Sequence, residues 1–236
     1  MTPVHRVDRI GACSVNPVPL LVVTFIMPLN GAVARLPLFQ KDDNYDAFER
    51  VLIEALDKHP IGLLAFTVMP NHWHFVLWPE HDDDMIEFLR WLTHTQRWHA
   101  HYHSAGTGHL GQGRYRAFPV QENDHLYTVL RYVKRNALRA GLVKRAENWR
   151  WSSLAHRCAG DLDPIHTRLH RWPVPFPRDW DERVNRAETE AELEAVRRSV
   201  ERSQPFGSET WQKRTAKTLN LVYTIRKLGR RKKPAK

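Results

Sequence analysis

The alternation of apolar and polar positions divides the chain into short strands and amphipathic helices. Apolar runs of strand length predict strands, and apolar positions recurring three and four residues apart predict helices. A Pro-Asn pair between two apolar runs favours a hairpin. In chain order the predicted elements are a strand at 20–26, a helix from 42, strands at 62–68 and 72–78, a helix from 82, an edge strand at 114–121 and a helix from 123 to about 139.

This order of elements, β-α-β-β-α-β-α, predicts an α+β domain at 18–160: an antiparallel sheet with helices on one face. The Pro-rich stretch at 161–182 is interpreted as a linker. Residues 183–225 predict a small helical C-terminal region, in which Thr189 and Glu192 have the spacing of a capping box. These helices are too few to bury a large core alone, so we expect them to dock on the first domain or to order on DNA.

Composition points to a soluble protein with an anionic partner. The chain has 236 residues, is 42% hydrophobic and carries a formal net charge of +10. Seven of its basic residues and no acidic residue fall in the tail at 226–236. Nucleic acid is the usual partner of such a surplus, although a charged tail is also often only solvated. The two cysteines support neither a disulfide framework nor a cysteine-based zinc site.

No membrane partner is predicted, because no apolar run reaches the roughly 18–20 residues that span a bilayer. The stretch at 18–29, after Arg6 and Arg9, resembles a secretory signal. Prolines at positions 17, 19 and 28 interrupt it, which favours a cytoplasmic location over export.

Two histidines form a candidate metal half-site. His72 and His74 lie two apart on a predicted strand, so both imidazoles lie on the face that carries Val76 and Trp78. Two adjacent imidazoles can supply half of a divalent metal site. A His-x-His pair in a strand is also often incidental, and both interpretations stay open on the pair alone.

The helix predicted at 123–139 has an apolar face with basic and polar side chains beside it. Its basic arc consists of Arg131, Lys134, Arg135 and Arg139. Tyr132 and Asn136 lie between the arc and the core face, four residues apart, and are therefore neighbours on the helix surface. A phenol beside an amide oxygen, flanked by guanidinium groups that bind phosphates, suggests phosphoryl chemistry. The alternative is an ordinary boundary tyrosine beside a polar surface residue.

Three stretches of the sequence form a recognisable set: VMPNHWH at 68–74, LRYVKRNALRAGLV at 130–143 and WRWSS at 149–153. Together they resemble a known family, the IS200-like transposases of the HUH endonuclease group, and within it the REP-associated tyrosine transposases. The similarity runs from about residue 36 to 153, with a weaker one over 180–215.

The resemblance implies a ferredoxin-like sheet and cleavage of single-stranded DNA at hairpin-forming repeats. It further implies a Mg²⁺ or Mn²⁺ ion bound by His72, His74 and Asn136, with Tyr132 as the nucleophile that forms a 5′-phosphotyrosine. We expect basic side chains to follow the phosphates of the DNA. The residues expected to do so are Arg131, Lys134, Arg135, Arg139, Arg114, Arg116, Arg230, Arg231, Lys232 and Lys233.

The sequence also departs from the family pattern. The first strand lacks the aromatic-His-Val start, Ala137 follows Asn136 where proline is usual, and Gly111 stands where an aromatic residue often precedes Gln-Gly-Arg. These departures motivate one alternative, a decayed or domesticated protein that binds repeat DNA without cutting it. A second alternative is an RNA-binding protein on the same sheet. The oligomeric state, a homodimer included, stays open.

Overall fold

The computed structural model describes residues 21–26, 38–103 and 115–226, with side chains for 38–95 and 115–226. The strands are β1 Leu21–Ile26, β2 Gly62–Met69, β3 His72–Trp78 and β4 Arg116–Val120. The helices are α1 Asp42–Lys58, α2 Asp84–His103, α3 Asp124–Lys134, α4 Asn136–Arg139, α5 Ser153–Ala159, α6 Trp180–Asn185, α7 Glu190–Arg202, α8 Glu209–Thr218 and α9 Val222–Ile225, with short 3₁₀ turns at Ala146–Asn148 and His166–Arg168.

The four described strands form one antiparallel sheet in the order β2-β3-β1-β4. β2 and β3 are joined by the predicted tight turn at Pro70 and Asn71. The predicted edge position of β4 is confirmed. Pro119, which has no N–H to donate, is tolerated there and its carbonyl accepts a hydrogen bond from Phe206 at 2.8 Å. The predicted α+β class and the order of elements are therefore confirmed.

The sheet is covered on both faces, not on one as the sequence predicted. Because side chains alternate along a strand, Trp73, Phe75 and Leu77 of β3 pack with α1 and α2 on one face. Val76 lies on the other face, in a second core with α3, α6 and α7. The third predicted helix and the C-terminal region thus form a separate layer, and this layer covers the face that carries the histidine pair.

The helix predicted at 123–139 is divided at Arg135, where a turn residue with φ −82° and ψ −5° separates α3 from α4. The Thr67 hydroxyl of β2 donates a 2.9 Å hydrogen bond to the carbonyl of Val133, just before this point. The helix ends where predicted, at Gly141 with φ +72°. The Leu142 N–H then bonds the Ala137 carbonyl at 3.0 Å, as in a Schellman motif.

The stretch at 161–182 packs against the sheet and is not the spacer that its prolines suggested. His170 N–H donates to the Leu63 carbonyl at 2.8 Å, and the Trp172 indole donates to the Leu64 carbonyl at 3.1 Å. Trp180 is 1% exposed. Prolines prevent a regular strand here, but the tryptophans bury enough apolar surface to hold the stretch along the edge of β2.

The C-terminal helices dock on the first domain, which is one of the two arrangements that the sequence predicted. The capping box is confirmed, since Thr189 accepts from the Glu192 N–H and Glu192 accepts from the Thr189 N–H. Val196 and Val200 of α7 are buried in the core that contains α3. Next to α7, Phe206 pairs with the outer side of β4, which covers that edge of the sheet.

Candidate active site

The histidine pair lies on the sheet face that α3 and α4 cover. The His72 and His74 ring centroids are 4.6 Å apart, with the rings nearly perpendicular. His74 is 2% exposed, whereas His72 is the first residue of β3 and is partly exposed. The predicted face is confirmed, because Val76 and Trp78 share the core on this side.

Both imidazoles are held in the neutral form. Burial lowers the pKa of His72 to about 4, with a further contribution from the positive charge of Arg139. Burial also lowers the pKa of His74 well below its usual range, and His72 and Arg139 add to the effect. The Asn71 side-chain oxygen lies 2.6 Å from His72 Nδ1 and can only accept, so Nδ1 carries the proton and Nε2 has the lone pair. Neutral imidazole is the form that binds metal ions.

The helix pair brings Tyr132 and Asn136 to the histidines. Leu130 and Val133 bury the apolar side of α3 against the sheet. As a result, the Asn136 amide contacts His74 Nε2. The Tyr132 ring stands perpendicular to the His74 ring, with centroids 6.3 Å apart. The four residues that the sequence predicted as nucleophile and ligands therefore lie together.

Arg139 connects the tyrosine to the amide. Its guanidinium carbon lies 4.1 Å from the centroid of the Tyr132 ring, in cation–π geometry. Its Nη2 donates to Asn136 Oδ1 at 2.8 Å, and its Nη1 donates to Glu188 at 2.9 Å. Arg139 is thereby held from two sides and fixes the orientation of the Asn136 amide.

The phenol of Tyr132 is subject to opposing effects. Burial raises its pKa overall, while the charges of Arg139 and Arg197 oppose this and that of Glu188 adds to it. The folded protein alone thus favours the protonated phenol, and the two guanidinium groups reduce that preference.

The basic side chains of the third helix have partners within the protein. Arg131 donates to the carbonyls of residues 186 and 187 at 2.8 Å each, and Arg135 donates to those of residues 184 and 185 at 2.9 and 2.5 Å. Arg139 is paired with Glu188. Lys134 is fully buried, with its ammonium 4.7 Å from the Trp172 ring centroid.

Arg131, Arg135 and Arg139 form the platform on which the segment at 184–192 docks, and Lys134 packs beside Trp172 and Trp180. The contact of these four residues with DNA stays a prediction. A guanidinium donates equally well to a carbonyl or to a phosphate, so the sequence could not distinguish the two partners. Of the other predicted DNA contacts, Arg116 donates to the Glu201 carbonyl. Arg114, Arg230, Arg231, Lys232 and Lys233 lie outside the described residues.

Two residues at the site were missed by the sequence interpretation, Glu188 and Arg197. Both belong to the C-terminal region and lie more than fifty residues from Tyr132 along the chain. No local periodicity or spacing joins them to the tyrosine helix. The surplus of basic residues on that helix was a signal that an acidic partner was needed, but it did not identify which one.

Within the described residues, no three His, Cys, Asp or Glu side chains cluster in a way that could hold a metal ion. None of the helices they form combines the length and the apolar character needed to cross a bilayer.

Comparisons with known proteins agree with the resemblance in the sequence. Residues 31–136 match the family model described as transposase, IS200 like. A REP-associated tyrosine transposase of Escherichia coli (strain K12) is 25% identical over 123 residues, which is 51% of this chain and 71% of that protein. A solved structure of a REP-associated tyrosine transposase bound to a REP hairpin has a TM-score of 0.47 and 19% identity, covering 65% of this chain and 89% of the other.

Proposed function

We propose that the protein nicks and rejoins single-stranded DNA at hairpin or repeat elements, with Tyr132 as the nucleophile. The match of residues 31–136 to the IS200-like transposase family model supports this proposal. The observation that supports this most is the meeting of Tyr132 and Asn136 with His72 and His74 on one face of the sheet. Residues from two elements far apart in the chain converge there.

In the proposed reaction, the phenol oxygen of Tyr132 attacks the phosphorus of the scissile phosphodiester. A bond forms between that oxygen and the phosphorus, and the bond from phosphorus to the 3′ oxygen breaks. The phenol proton passes to solvent and the leaving 3′ oxygen takes up a proton, giving a 5′-phosphotyrosine and a free 3′-hydroxyl. One ester replaces another, so the reverse attack rejoins the strand without ATP.

We extend the proposal to a divalent ion, Mg²⁺ or Mn²⁺, with His72, His74 and Asn136 as its protein ligands. Two neutral imidazoles and an amide oxygen fit such an ion, and the nitrogen donors favour Mn²⁺ over the harder Mg²⁺. When bound, the ion would polarise the scissile phosphate as a Lewis acid.

Asn136 would have to turn its amide to take part. In the structure Oδ1 accepts from Arg139, and Nδ2 faces His74 Nε2. Presenting the oxygen on the His74 side requires Arg139 to give up that hydrogen bond. Arg139 would then control both the orientation of the Asn136 ligand and the ring of Tyr132.

These contacts also favour a second candidate function, binding of repeat DNA without cleavage. Arg139 engages the Asn136 oxygen, and burial raises the pKa of the Tyr132 phenol. A protein fixed in this arrangement would keep its nucleophile protonated and its amide ligand occupied. The departures of the first strand and of Ala137 from the family pattern point the same way.

Incubation with hairpin-bearing single-stranded DNA and Mn²⁺, followed by denaturing electrophoresis, distinguishes the two functions. We expect a covalent protein–DNA adduct with the wild type and none with Tyr132→Phe, which keeps the ring under Arg139 but has no nucleophile. Tyr223→Phe, at a side chain that is 67% exposed, is the matched control and should form the adduct normally. No adduct from the wild type on any hairpin strand would establish the binding function instead.

A further inference from the structure

Three arginines from distant parts of the chain come together at the C-terminal end of helix α7. Arg116, the first residue of β4, donates a side-chain hydrogen bond to the carbonyl of Glu201 in the last turn of α7. Arg202, the last residue of that helix, donates from Nη2 to the carbonyl of Arg226 at 3.0 Å. These bonds hold the start of β4 and the residue after α9 beside α7, and we refer to Arg116, Arg202 and Arg226 as the arginine cluster.

The register of the sheet relates this cluster to the histidine pair. Arg116 is paired with Phe25 of β1, and Phe25 is paired on its other side with His74 of β3. Residues directly opposite one another in an antiparallel sheet project from the same face. Phe118, two residues after Arg116, agrees with this, because it is buried in the core that contains α3 and α7. Neighbouring strands are about 4.8 Å apart, so the backbone of Arg116 lies about 10 Å from that of His74, on the same face.

The cluster carries positive charge that the protein does not neutralise by ion pairing. Within the described part of the chain none of its three arginines pairs with a carboxylate, whereas Arg131 and Arg139 do. A guanidinium has five N–H donors, so one bond to a carbonyl leaves donors for a ligand. Arg226 is exposed, and the sequence continues from it with six further basic residues and no acidic one at 227–236. A partner with closely spaced negative charges, such as a phosphodiester chain, complements this surface.

We propose that the arginine cluster binds phosphates of the single-stranded DNA on one side of the cleavage point, so that the strand runs from the histidine pair across the ends of β1 and β4 to the tail. This inference rests on the proposed function. Because Arg116 is directed towards α7 and lies about 10 Å from His74, the cluster contacts phosphates beside the scissile one and not the scissile phosphate itself. Arg202 and Arg226 lie outside residues 31–136, which match the family model, so the C-terminal region contributes to holding the substrate.

The salt dependence of DNA binding tests the inference, with fluorescence anisotropy of labelled hairpin-bearing single-stranded DNA in the absence of Mn²⁺. Arg116→Gln and Arg226→Gln should each reduce the log–log slope by about 0.7, the value for one lost single-strand phosphate contact. Arg226→Gln should keep the wild-type Tm, because the bond from Arg202 uses the backbone carbonyl of Arg226. Arg90→Gln is the matched control, since Arg90 is exposed on α2, which packs on the other face of the sheet, and its slope should equal that of the wild type.

Strands shortened stepwise on either side of the hairpin distinguish a site from general attraction. Wild-type affinity should fall at the step that removes the phosphate bound by the cluster, and Arg226→Gln should show no fall at that step. If Arg226→Gln had the slope of Arg90→Gln and lost affinity at the same step as the wild type, the inference would be overturned, and adduct formation by the wild type would leave the proposed function standing. A reduced slope in Arg226→Gln, together with a wild type that forms no adduct, would support the cluster and overturn cleavage.

Discussion

Replacing Glu188 with glutamine removes the negative charge that Arg135 and Arg139 share. The carboxylate lies 2.9 Å from Arg139 Nη1 and 3.6 Å from Arg135 Nε, and its side chain is 5% exposed. The side chains of Arg135 and Arg139 are 13% and 19% exposed, so water compensates their charges poorly once the carboxylate is lost.

The expected cost follows from what the two arginines retain. Removing one partner of a buried ion pair costs about 3–5 kcal/mol. Arg135 keeps its bonds to two carbonyls and Arg139 keeps Asn136, and glutamine preserves the shape of the side chain. We therefore expect the free energy of unfolding to fall by about 2–3 kcal/mol, below the full range for a buried pair.

Thermal denaturation followed by circular dichroism measures this loss. In a chain of this size each kcal/mol changes Tm by about 2–4 °C, so Glu188→Gln should lower Tm by roughly 4–12 °C. The segment at 184–192 should also become more sensitive to limited proteolysis, because its docking depends on this carboxylate.

Glu194→Gln is the matched control, since Glu194 is exposed on α7 and loses the same charge. Its Tm should stay within about 2 °C of wild type, because isolated surface substitutions change stability by about 0.5 kcal/mol or less. If Glu188→Gln kept the wild-type Tm and bound DNA more tightly, the arginines would be a DNA surface and the docking interpretation would be wrong.

Three further predictions concern the fold, the tail and the metal. Burial alone would lower the pKa of His156, but hydrogen bonds to Glu49 at 2.9 Å and Asp163 at 2.8 Å raise it overall. The protonated imidazole therefore contributes its full stabilisation below pH 6.5 and loses it as pH rises through the raised pKa. In urea unfolding, His156→Gln should be less stable than wild type by about 1–3 kcal/mol at pH 6, and this difference should shrink towards pH 9. A difference that stays constant with pH would contradict this prediction. Deleting the tail at 226–236 should reduce the salt dependence of DNA binding by about 0.7 per lost single-strand phosphate contact in the log–log slope, and an unchanged slope would show that the tail is only solvated. EDTA should abolish adduct formation and Mn²⁺ should restore it, whereas full activity in EDTA would rule out the proposed metal site.

Local pattern was sufficient to predict the strands, the hairpin and the face of the histidine pair. The period of two along β3 places His72 and His74 together whatever the rest of the chain does. The helical period makes Tyr132 and Asn136 neighbours in the same way, and a turn residue between them at position 135 does not separate them. These features are encoded within a few residues of one another, so the sequence by itself determined them.

Only the tertiary structure decided which partners the polar groups have. Whether Arg131 and Arg135 bind phosphates or backbone carbonyls depends on a segment about fifty residues later in the chain, and both partners satisfy the same donors. The burial of Lys134 beside Trp172 and Trp180 depends equally on how the C-terminal half of the chain packs. Such contacts depend on how much apolar surface is buried together by residues far apart in the chain, such as Trp180 and Val196. No local spacing in the sequence predicts that packing.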